Sequence, residues 1–248
     1  MKAQLKSGLK ALGLYERASR AWIAAEPRLI RLSRGLTGRN QRLIAHHLNR
    51  HHAPKLHIGC GDNELPGWLN TELCPRGDQI FLDATARFPF ADNVFAFIYA
   101  EHMIEHISLP DAEAMLAECF RVLAPGGVVR IVTPDMRFLA TLLSSTHAPE
   151  VASYIRYSID AHRIHAPAAD GLSVFNNFVR AWGHQYIHSA ASLGGLLTRA
   201  GFADIQPRPL NSSPHPELTG LAITDRMPAG FVEMESFVLE GRKPVAGE

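Results

Sequence analysis

The stretch Leu56-His57-Ile58-Gly59-Cys60-Gly61-Asp62-Asn63 decides how the rest of this 248-residue chain is interpreted. Its first part is short and apolar, which is typical of a buried strand, and it runs directly into Gly59 and Gly61. A strand followed by Gly-x-Gly presents bare backbone N–H groups at the carboxyl end of a parallel sheet, where nucleotide-like ligands bind. Taken alone, the same residues also fit a tight turn with no binding role.

Four further strands are predicted downstream, and acids stand at the ends of several. The predicted strands are Trp68–Glu72, Gln79–Asp83, Phe95–Ala100 and Val128–Val132. A helix with apolar spacing over residues 112–123 precedes the last of them. A carboxylate in the position of Glu72 can accept both hydroxyls of a ribose, so the pattern favours a nucleotide-type cofactor.

The order of these motifs resembles the class I S-adenosylmethionine-dependent methyltransferases, most closely the small bacterial type-11-like group. The resemblance spans about residues 54–243 and rests on LHIGCG at 56–61, LDATARFPFADNVF at 82–95, IEH at 104–106 and ECFRVLAPGGVVRIVTPD at 118–135. It implies an α/β fold with a Rossmann-like, doubly wound and mostly parallel sheet. It also implies S-adenosylmethionine as the cofactor.

The resemblance assigns roles to individual residues. Glu72 matches the acid that holds the cofactor ribose, and Asp83 matches the acid near the adenine amino group. The alternative for Glu72 is an ordinary strand-end carboxylate, and for Asp83 it is a helix N-cap. The full predicted cofactor-binding set is Gly59, Cys60, Gly61, Glu72, Asp83, Ala84 and Glu101.

Methyl transfer is an in-line displacement, so orientation supplies much of the rate, and a base is needed only if the acceptor loses a proton. The candidate bases are His102, His184 and Asp135. His106 fits either a site residue or a core histidine. The Asp/Asn-Pro-Pro-aromatic motif of amino-group methylation is absent at residues 99–102, which favours oxygen as the methylated atom.

Residues 1–53 are predicted to form a basic helical extension before a methyltransferase domain at 54–248. The first 55 residues carry 12 Lys and Arg against two acids. An imperfect amphipathic helix is predicted at the start, with Leu5, Leu9, Leu12 and Ile23 on one face, and two more helices over residues 29–36 and 39–51. The extension is either a helical cap or a contact with anionic lipid or a phosphate-bearing substrate. Nucleic acid is disfavoured because interleaved aromatics are absent.

Chain length limits the connections of the sheet. Parallel strands usually need a crossover of about a dozen residues, and the first two connections are shorter. We expect their crossover helices to be reduced to a turn or lost, and residues 39–51 to cover the face of the sheet that this leaves bare. Residues 136–183 are predicted to form a helical insert over the acceptor site, and residues 210–228 a long surface loop.

Other classes of protein fit less well. The three cysteines show no paired or metal-type spacing, so we expect no metal site, no disulfides and a cytoplasmic, reducing compartment, with peripheral membrane contact as a variant. A secretory signal is not expected, because Lys6 and Lys10 interrupt the start. A nicotinamide-dependent oxidoreductase is disfavoured because the glycine turn lacks a third glycine. A non-catalytic cofactor-binding scaffold tethered by its N-terminus stays open.

Overall fold

The computed structural model describes residues 15–144, 148–166, 169–245 and 247, with side chains from residue 25 onward. Leu5, Leu9 and Leu12 of the predicted first helix lie outside these ranges. Within them, no helix is both long enough and apolar enough to cross a membrane.

Within the described residues, seven strands form one sheet in the order β3-β2-β1-β4-β5-β7-β6. The pairs from β3 to β5 are parallel, whereas β7 runs antiparallel to both β5 and β6. The strands are β1 Lys55–Ile58, β2 Leu69–Glu72, β3 Ile80–Phe81, β4 Phe95–Glu101, β5 Leu123–Pro134, β6 Ala203–Pro207 and β7 Ser236–Arg242. The strand order reverses between β1 and β4, the place where α/β sheets bind ligands. This topology confirms the predicted Rossmann-like, mostly parallel sheet.

Most helices lie where the sequence pattern predicted them. They are α1 Tyr15–Thr37, α2 Arg39–Arg50, α3 Leu109–Val122, α4 Met136–Thr141, α5 Pro149–Ala161, α6 Gly171–Arg180, α7 Ala190–Arg199 and α8 Phe231–Glu235, with 3-10 turns at Ile104–His106 and Pro216–Leu218. Helix α1 is longer than predicted, and α8 was not predicted. Serine side chains fix the starts of the two helices that flank the sheet. Ser108 accepts a hydrogen bond from Asp111 N–H, and Ser189 forms a reciprocal capping box with Ser192.

The connections between the first strands lack helices, as the chain length predicted. Residues 59–68, 73–79 and also 82–94 contain only turns and extended backbone. The side chain of Asn70 on β2 braces the first connection, because its amide donates to Leu65 O and accepts from Leu65 N, each at 3.0 Å. The Asn70 side chain thus fixes the backbone of this connection, which has no crossover helix.

Opposite faces of the sheet are covered by different means. Helices α3 and α7 pack on one face around the main apolar cluster. The other face is covered by residues 208–230, which include the stretch 210–228 that we predicted to be a surface loop. That prediction is wrong in part, because Leu218 of this segment is fully buried and packs in a cluster with Tyr99 and Val132. Buried Arg130 on β5 anchors the segment by donating to three of its backbone carbonyls and pairing with Glu240 at 2.6 Å.

The N-terminal helices pack against the β3 edge of the sheet. Helix α1 continues through Pro27, where two separate helices were predicted. The Asn40 side chain donates to Phe81 O at 2.8 Å and accepts from Phe81 N–H at 3.1 Å. It thus satisfies backbone groups of the edge strand β3 that a neighbouring strand would otherwise satisfy. Ile44 of α2 joins the cluster on the α3 and α7 face. The expectation that residues 39–51 cover the bare face was therefore wrong.

Helices α4, α5 and α6 lie within the predicted insert. They form their own apolar cluster, in which Tyr154 is fully buried against Phe138, with ring centroids 4.9 Å apart. Helix α4 continues directly from β5, so the insert begins at the carboxyl end of a central strand. This placement brings the insert next to the ends of β4 and β5.

Candidate active site

A cleft of about 360 Å³ opens at the carboxyl ends of β1, β2 and β4. Its walls contain most of the predicted cofactor residues and several apolar neighbours: Ile58, Gly59, Gly61, Glu72, Leu73, Leu82, Asp83, Ala84, Thr85, His102, Met103, His106 and Ile107. The sequence therefore located this cleft, although the chemistry of each wall depends on details that only the structure gives.

The two glycines of the turn serve different purposes. Both have positive φ, +66° at Gly59 and +53° at Gly61. A Cβ on Gly59 would lie 2.4 Å from Cγ of Met103, so Gly59 makes room for the wall of the cleft. A Cβ on Gly61 would meet nothing within 4 Å. The backbone at Gly61 is thus open to close approach by a ligand.

Glu72 ends β2 directly beside this turn. One carboxylate oxygen accepts from Gly61 N–H at 2.9 Å, and the other accepts from Leu73 N–H at 2.8 Å. The carboxylate is therefore oriented before any ligand is present, and each oxygen keeps a further lone pair for a hydroxyl. This geometry supports Glu72 as the ribose-binding acid.

Asp83 lies at the far end of the cleft, followed by Ala84 and Thr85. Its Oδ1 accepts from both the backbone N–H of Thr85, at 3.0 Å, and the Thr85 hydroxyl, at 2.7 Å. This is an Asx turn rather than a helix cap, since no helix follows. None of the described residues donates a hydrogen bond to the second carboxylate oxygen of Asp83, so this oxygen can accept from an amino group.

Two residues of the predicted cofactor set do not line the cleft. The Cys60 side chain is buried, which raises the pKa of its thiol to about 12, and only its backbone belongs to the turn. Glu101 points to the opposite face of the sheet, where it accepts from Tyr99 OH at 3.1 Å and Ile223 N–H at 3.2 Å. Burial raises the pKa of Glu101. The structure thus supports no contact of either side chain with a ligand in the cleft.

His102 lies where the cleft meets a second cavity, and its backbone is unusual. Its φ is +47°, a conformation that non-glycine residues adopt rarely. Its Nδ1 lies 3.1 Å from Oε1 of Glu105, and its Nε2 lies 2.6 Å from the Arg226 guanidinium and 3.3 Å from the Ser236 hydroxyl. Since a guanidinium only donates, Nε2 must accept and Nδ1 carries the proton to Glu105.

Glu105 is the buried acid that sequence reasoning missed. It is fully buried, and its Oε2 accepts from the Thr133 hydroxyl at 3.1 Å. Burial acts to raise the pKa of Glu105, but hydrogen bonds to its carboxylate, first among them the one from His102, outweigh burial and hold the pKa below its usual value. The acid is therefore ionised and orients the His102 ring. The spacing of His102 and Glu105, three residues apart, was the available signal.

The second cavity has a volume of about 370 Å³ and shares His102 and His106 with the first. It combines histidines, acids, one arginine and aromatic rings from the insert: His102, Glu105, His106, Pro134, Tyr157, His162, Phe178, Trp182, His184, Arg226, Met227 and Glu235. As expected, the helical insert supplies one wall and His102 stands on the other. Glu101, expected on the same wall, faces away.

The other two candidate bases are placed differently. His184 lines this second cavity, and its Nδ1 lies 2.6 Å from Phe178 O. Burial lowers the pKa of His184. Asp135 caps α4 by accepting from Arg137 N–H at 2.9 Å, and it lines neither of the two cavities. The geometry supports His102 and His184 as site residues and gives Asp135 a structural role.

Arg226 was also missed by sequence reasoning. It lies in the segment predicted to be a surface loop, yet it contacts His102 and reaches within 3.6 Å of Glu235. A single arginine among prolines and serines carries no periodic signal. Its position depends on the contacts that hold this segment against the sheet, among them the hydrogen bonds from Arg130 to Ser212 O and Pro209 O.

The first cavity fits S-adenosylmethionine on its own features. It combines an open glycine backbone, a fixed carboxylate for hydroxyls, and a second carboxylate among apolar side chains that suit an adenine ring. The residues that would hold the cofactor are Gly59, Gly61, Glu72, Asp83 and Ala84.

The sheet order and this cleft define a Rossmann-like domain of the methyltransferase type. Residues 56–131 match the family model described as a methyltransferase domain. Over these residues the chain carries a methyltransferase domain of the class I, S-adenosylmethionine-dependent kind. This assignment confirms both the resemblance and the predicted cofactor class.

Individual relatives match over part of their length. The ubiquinone/menaquinone biosynthesis C-methyltransferase UbiE of Desulfotalea psychrophila is 31% identical over 123 residues, which are 48% of this chain and 44% of that protein. The match thus spans less than half of the relative. Among solved structures, an S-adenosylmethionine-dependent methyltransferase from Mesorhizobium loti aligns with a TM-score of 0.45 and 13% identity, covering 76% of this chain and 90% of that one. Phosphoethanolamine N-methyltransferase 2 of Haemonchus contortus, bound to S-adenosylmethionine, aligns with a TM-score of 0.40 and 13% identity, covering 83% and 53%.

Proposed function

We propose that this protein transfers the methyl group of S-adenosylmethionine to a hydroxyl oxygen of a small-molecule acceptor of glycan or lipid type. One observation carries the proposal: two cavities of similar size share His102 and His106 at their junction. One cavity has the features of a cofactor site, and the other is walled by the helical insert. A donor and an acceptor held in them would meet at His102.

The cofactor, when bound, supplies a methyl group activated by a sulfonium. The chain supplies orientation, since Glu72 and Asp83 would fix the two ends of the nucleoside. The insert excludes water from the acceptor through the aromatic rings of Tyr157, Phe178 and Trp182. These contributions suit a reaction in which proximity provides much of the rate.

We assign His102 as the group that takes the acceptor proton. Glu105 holds the ring and keeps the proton on Nδ1, which leaves Nε2 as the basic atom. Nε2 is bonded to Arg226 in this structure, so a hydroxyl must displace the guanidinium to reach it. An acceptor bearing an anionic group would favour that displacement by drawing Arg226 to itself. His184 is the second candidate for this role.

Oxygen is favoured over nitrogen or carbon by the residues at the end of β4. The Asp/Asn-Pro-Pro-aromatic motif is absent there, and a base oriented by a buried carboxylate suits a hydroxyl, which must lose its proton. The relative UbiE is named as a C-methyltransferase, which makes a carbon acceptor the alternative. The two are distinguished by the atom that is labelled.

The test is a screen of hydroxyl, amine and carbon acceptors with methyl-labelled S-adenosylmethionine, followed by NMR of any product. We expect label on an oxygen, and slower transfer with Glu72→Ala at the same subsaturating cofactor concentration. Label on carbon or nitrogen would contradict the oxygen assignment. Cofactor binding with no transfer to any acceptor would favour the scaffold alternative.

We also propose that helix α1 contacts an anionic membrane surface. Leu29, Leu32 and Leu36 lie three and four residues apart on one helical face and are 51%, 62% and 90% exposed. Arg28 and Arg31 are exposed beside them. An apolar stripe flanked by arginines suits the interface of a bilayer with negative headgroups, from which a lipid-type acceptor would be presented.

A further inference from the structure

We propose that Glu105, His106 and His184 form a binding site for one divalent transition-metal ion. Each offers one ligand atom, and these atoms lie within 4.8 Å of one another. All three residues line the second cavity. Two imidazoles and one carboxylate are a recurrent ligand set for zinc, iron and cobalt. Local spacing does not indicate this site, because His184 lies 79 residues after Glu105 and the three residues show no metal-type spacing.

The juxtaposition is built by backbone hydrogen bonds rather than by chance proximity of side chains. The carbonyl of Glu105 accepts from Gln185 N–H at 2.8 Å and from Tyr186 N–H at 3.2 Å. The Gln185 side chain also donates to His106 O at 2.7 Å. Three hydrogen bonds thus fasten the segment that carries His184 onto the segment that carries the other two ligands.

His184 is oriented as metal-binding histidines usually are. Its Nδ1 lies 2.6 Å from Phe178 O, and a carbonyl only accepts, so the ring proton is on Nδ1. Nε2 therefore presents its lone pair away from that contact. A second-shell carbonyl that fixes the tautomer in this way is typical of metal sites.

Glu105 supplies the negative charge. Its carboxylate accepts from His102 and Thr133, one hydrogen bond at each oxygen, which leaves a lone pair for a cation. The His106 and His184 rings lie edge to face, with centroids 4.8 Å apart. Ligand atoms around a tetrahedral ion with bonds of about 2.0–2.1 Å are separated by about 3.3 Å. Small rotations of the two half-buried rings would bring them to that distance.

Three protein ligands leave at least one coordination position facing the cavity. An acceptor oxygen bound there would lie next to His102, at the junction with the cofactor cleft. This role for the ion rests on the proposed function, whereas metal binding itself does not. The chain would then hold its acceptor by coordination as well as by the Arg226 guanidinium.

The test uses the untagged full chain, stripped with a chelator and titrated with Co²⁺. We expect visible absorption of a coordinated Co²⁺ ion that saturates at one ion per chain, confirmed by elemental analysis after gel filtration. His106→Ala and His184→Ala should each weaken binding at least tenfold. Far-ultraviolet circular dichroism checks that each variant is folded. His106→Gln repeats the test at this ligand with a smaller change in side-chain shape.

The control variant tests a second pair of neighbouring histidines, which lies on α2. His47 and His51 stack on α2 with ring centroids 4.2 Å apart and could bind Co²⁺ adventitiously. His51→Ala should leave the absorption and stoichiometry unchanged. The proposal is overturned if folded His106→Ala and His184→Ala bind Co²⁺ as the original does, if His51→Ala alone abolishes binding, or if no ion binds. Calorimetry with S-adenosylmethionine on the same samples reports separately on the proposed function.

Discussion

The Glu72 carboxylate accepts a hydrogen bond of 2.9 Å from the backbone N–H of Gly61, which joins the acid at the end of β2 to the glycine turn after β1. The two strands are adjacent and parallel, so their ends arrive side by side. The acid is thereby held at the rim of the cleft. The Glu72 carboxylate is therefore already positioned to accept hydrogen bonds from a nucleoside. Binding would cost little further loss of side-chain conformational freedom.

Replacing Glu72 by Ala should weaken S-adenosylmethionine binding by about 1.5 to 3 kcal/mol, the range for a hydrogen bond to a charged group. Glu72→Gln should weaken it less, because an amide oxygen can still accept one hydroxyl. Isothermal titration calorimetry measures both. A dissociation constant equal to that of the original chain in both variants would remove Glu72 from the site.

Replacing His102 by Ala should lower turnover by about 10²- to 10⁴-fold while cofactor affinity changes little, because the ring acts on the acceptor proton. Single-turnover kinetics with a labelled methyl group separate the chemical step from binding. His165→Ala, at an exposed position outside both cavities, is the matched control and should leave the rate unchanged. A rate for His102→Ala within threefold of the original would shift the assignment to His184.

Stability should fall in acid because two buried histidines are held neutral. Burial lowers the pKa of His57 and of His188 from 6.5 to about 4, and both side chains are almost fully buried. The unfolded chain therefore binds more protons than the folded chain between these values, and the free energy of unfolding rises with pH across that window. Each histidine contributes up to about 3 kcal/mol, present above about pH 6.5 and lost as the pH falls toward 4.

Urea unfolding at pH 7.5 and pH 5 measures this loss. Both ring nitrogens of His188 lack a hydrogen-bond partner among the described residues, so His188→Leu removes a titrating group together with an unsatisfied polar one. We expect this variant to lose less stability between the two pH values than the original chain. His165→Leu serves as the control on an exposed histidine, and an equal pH dependence in all three chains would contradict the account.

Membrane contact should depend on the leucine stripe of α1. Leu32→Gln combined with Leu36→Gln should reduce binding to vesicles with anionic lipid by tenfold or more, since burying a leucine is worth about 1.5–3 kcal/mol. Leu172→Gln is the matched control, because Leu172 is 59% exposed on α6, away from this stripe. Cosedimentation measures the bound fraction. Equal loss in both variants, or no loss in the double variant, would leave α1 as a structural cap only.

Much of the fold follows from local pattern in the sequence. Five strands, their short connections and the helical insert are set by apolar runs and chain length, and the cleft follows from the glycine turn with Glu72 and Asp83. Glu101 could have been placed correctly as well. It is two residues from Tyr99, and since side chains alternate along a strand, both must point to the face away from the main helices.

The rest depends on contacts between distant segments, which no local pattern encodes. Arg226 contacts His102 because residues 208–230 pack over the sheet, where Arg130 donates to Ser212 O. His184 meets Glu105 only because two N–H groups of the following residues bond to the Glu105 carbonyl. In both cases the sequence contains both residues of the pair but does not indicate that they are in contact.

The central claim is that the cleft beside Gly61 is an S-adenosylmethionine site, and calorimetric titration of the full chain with S-adenosylmethionine, S-adenosylhomocysteine and NAD tests it most directly. The account predicts binding of the first two at one molecule per chain, weakened in Glu72→Ala, and no binding of NAD. Binding of NAD without binding of S-adenosylmethionine would contradict it.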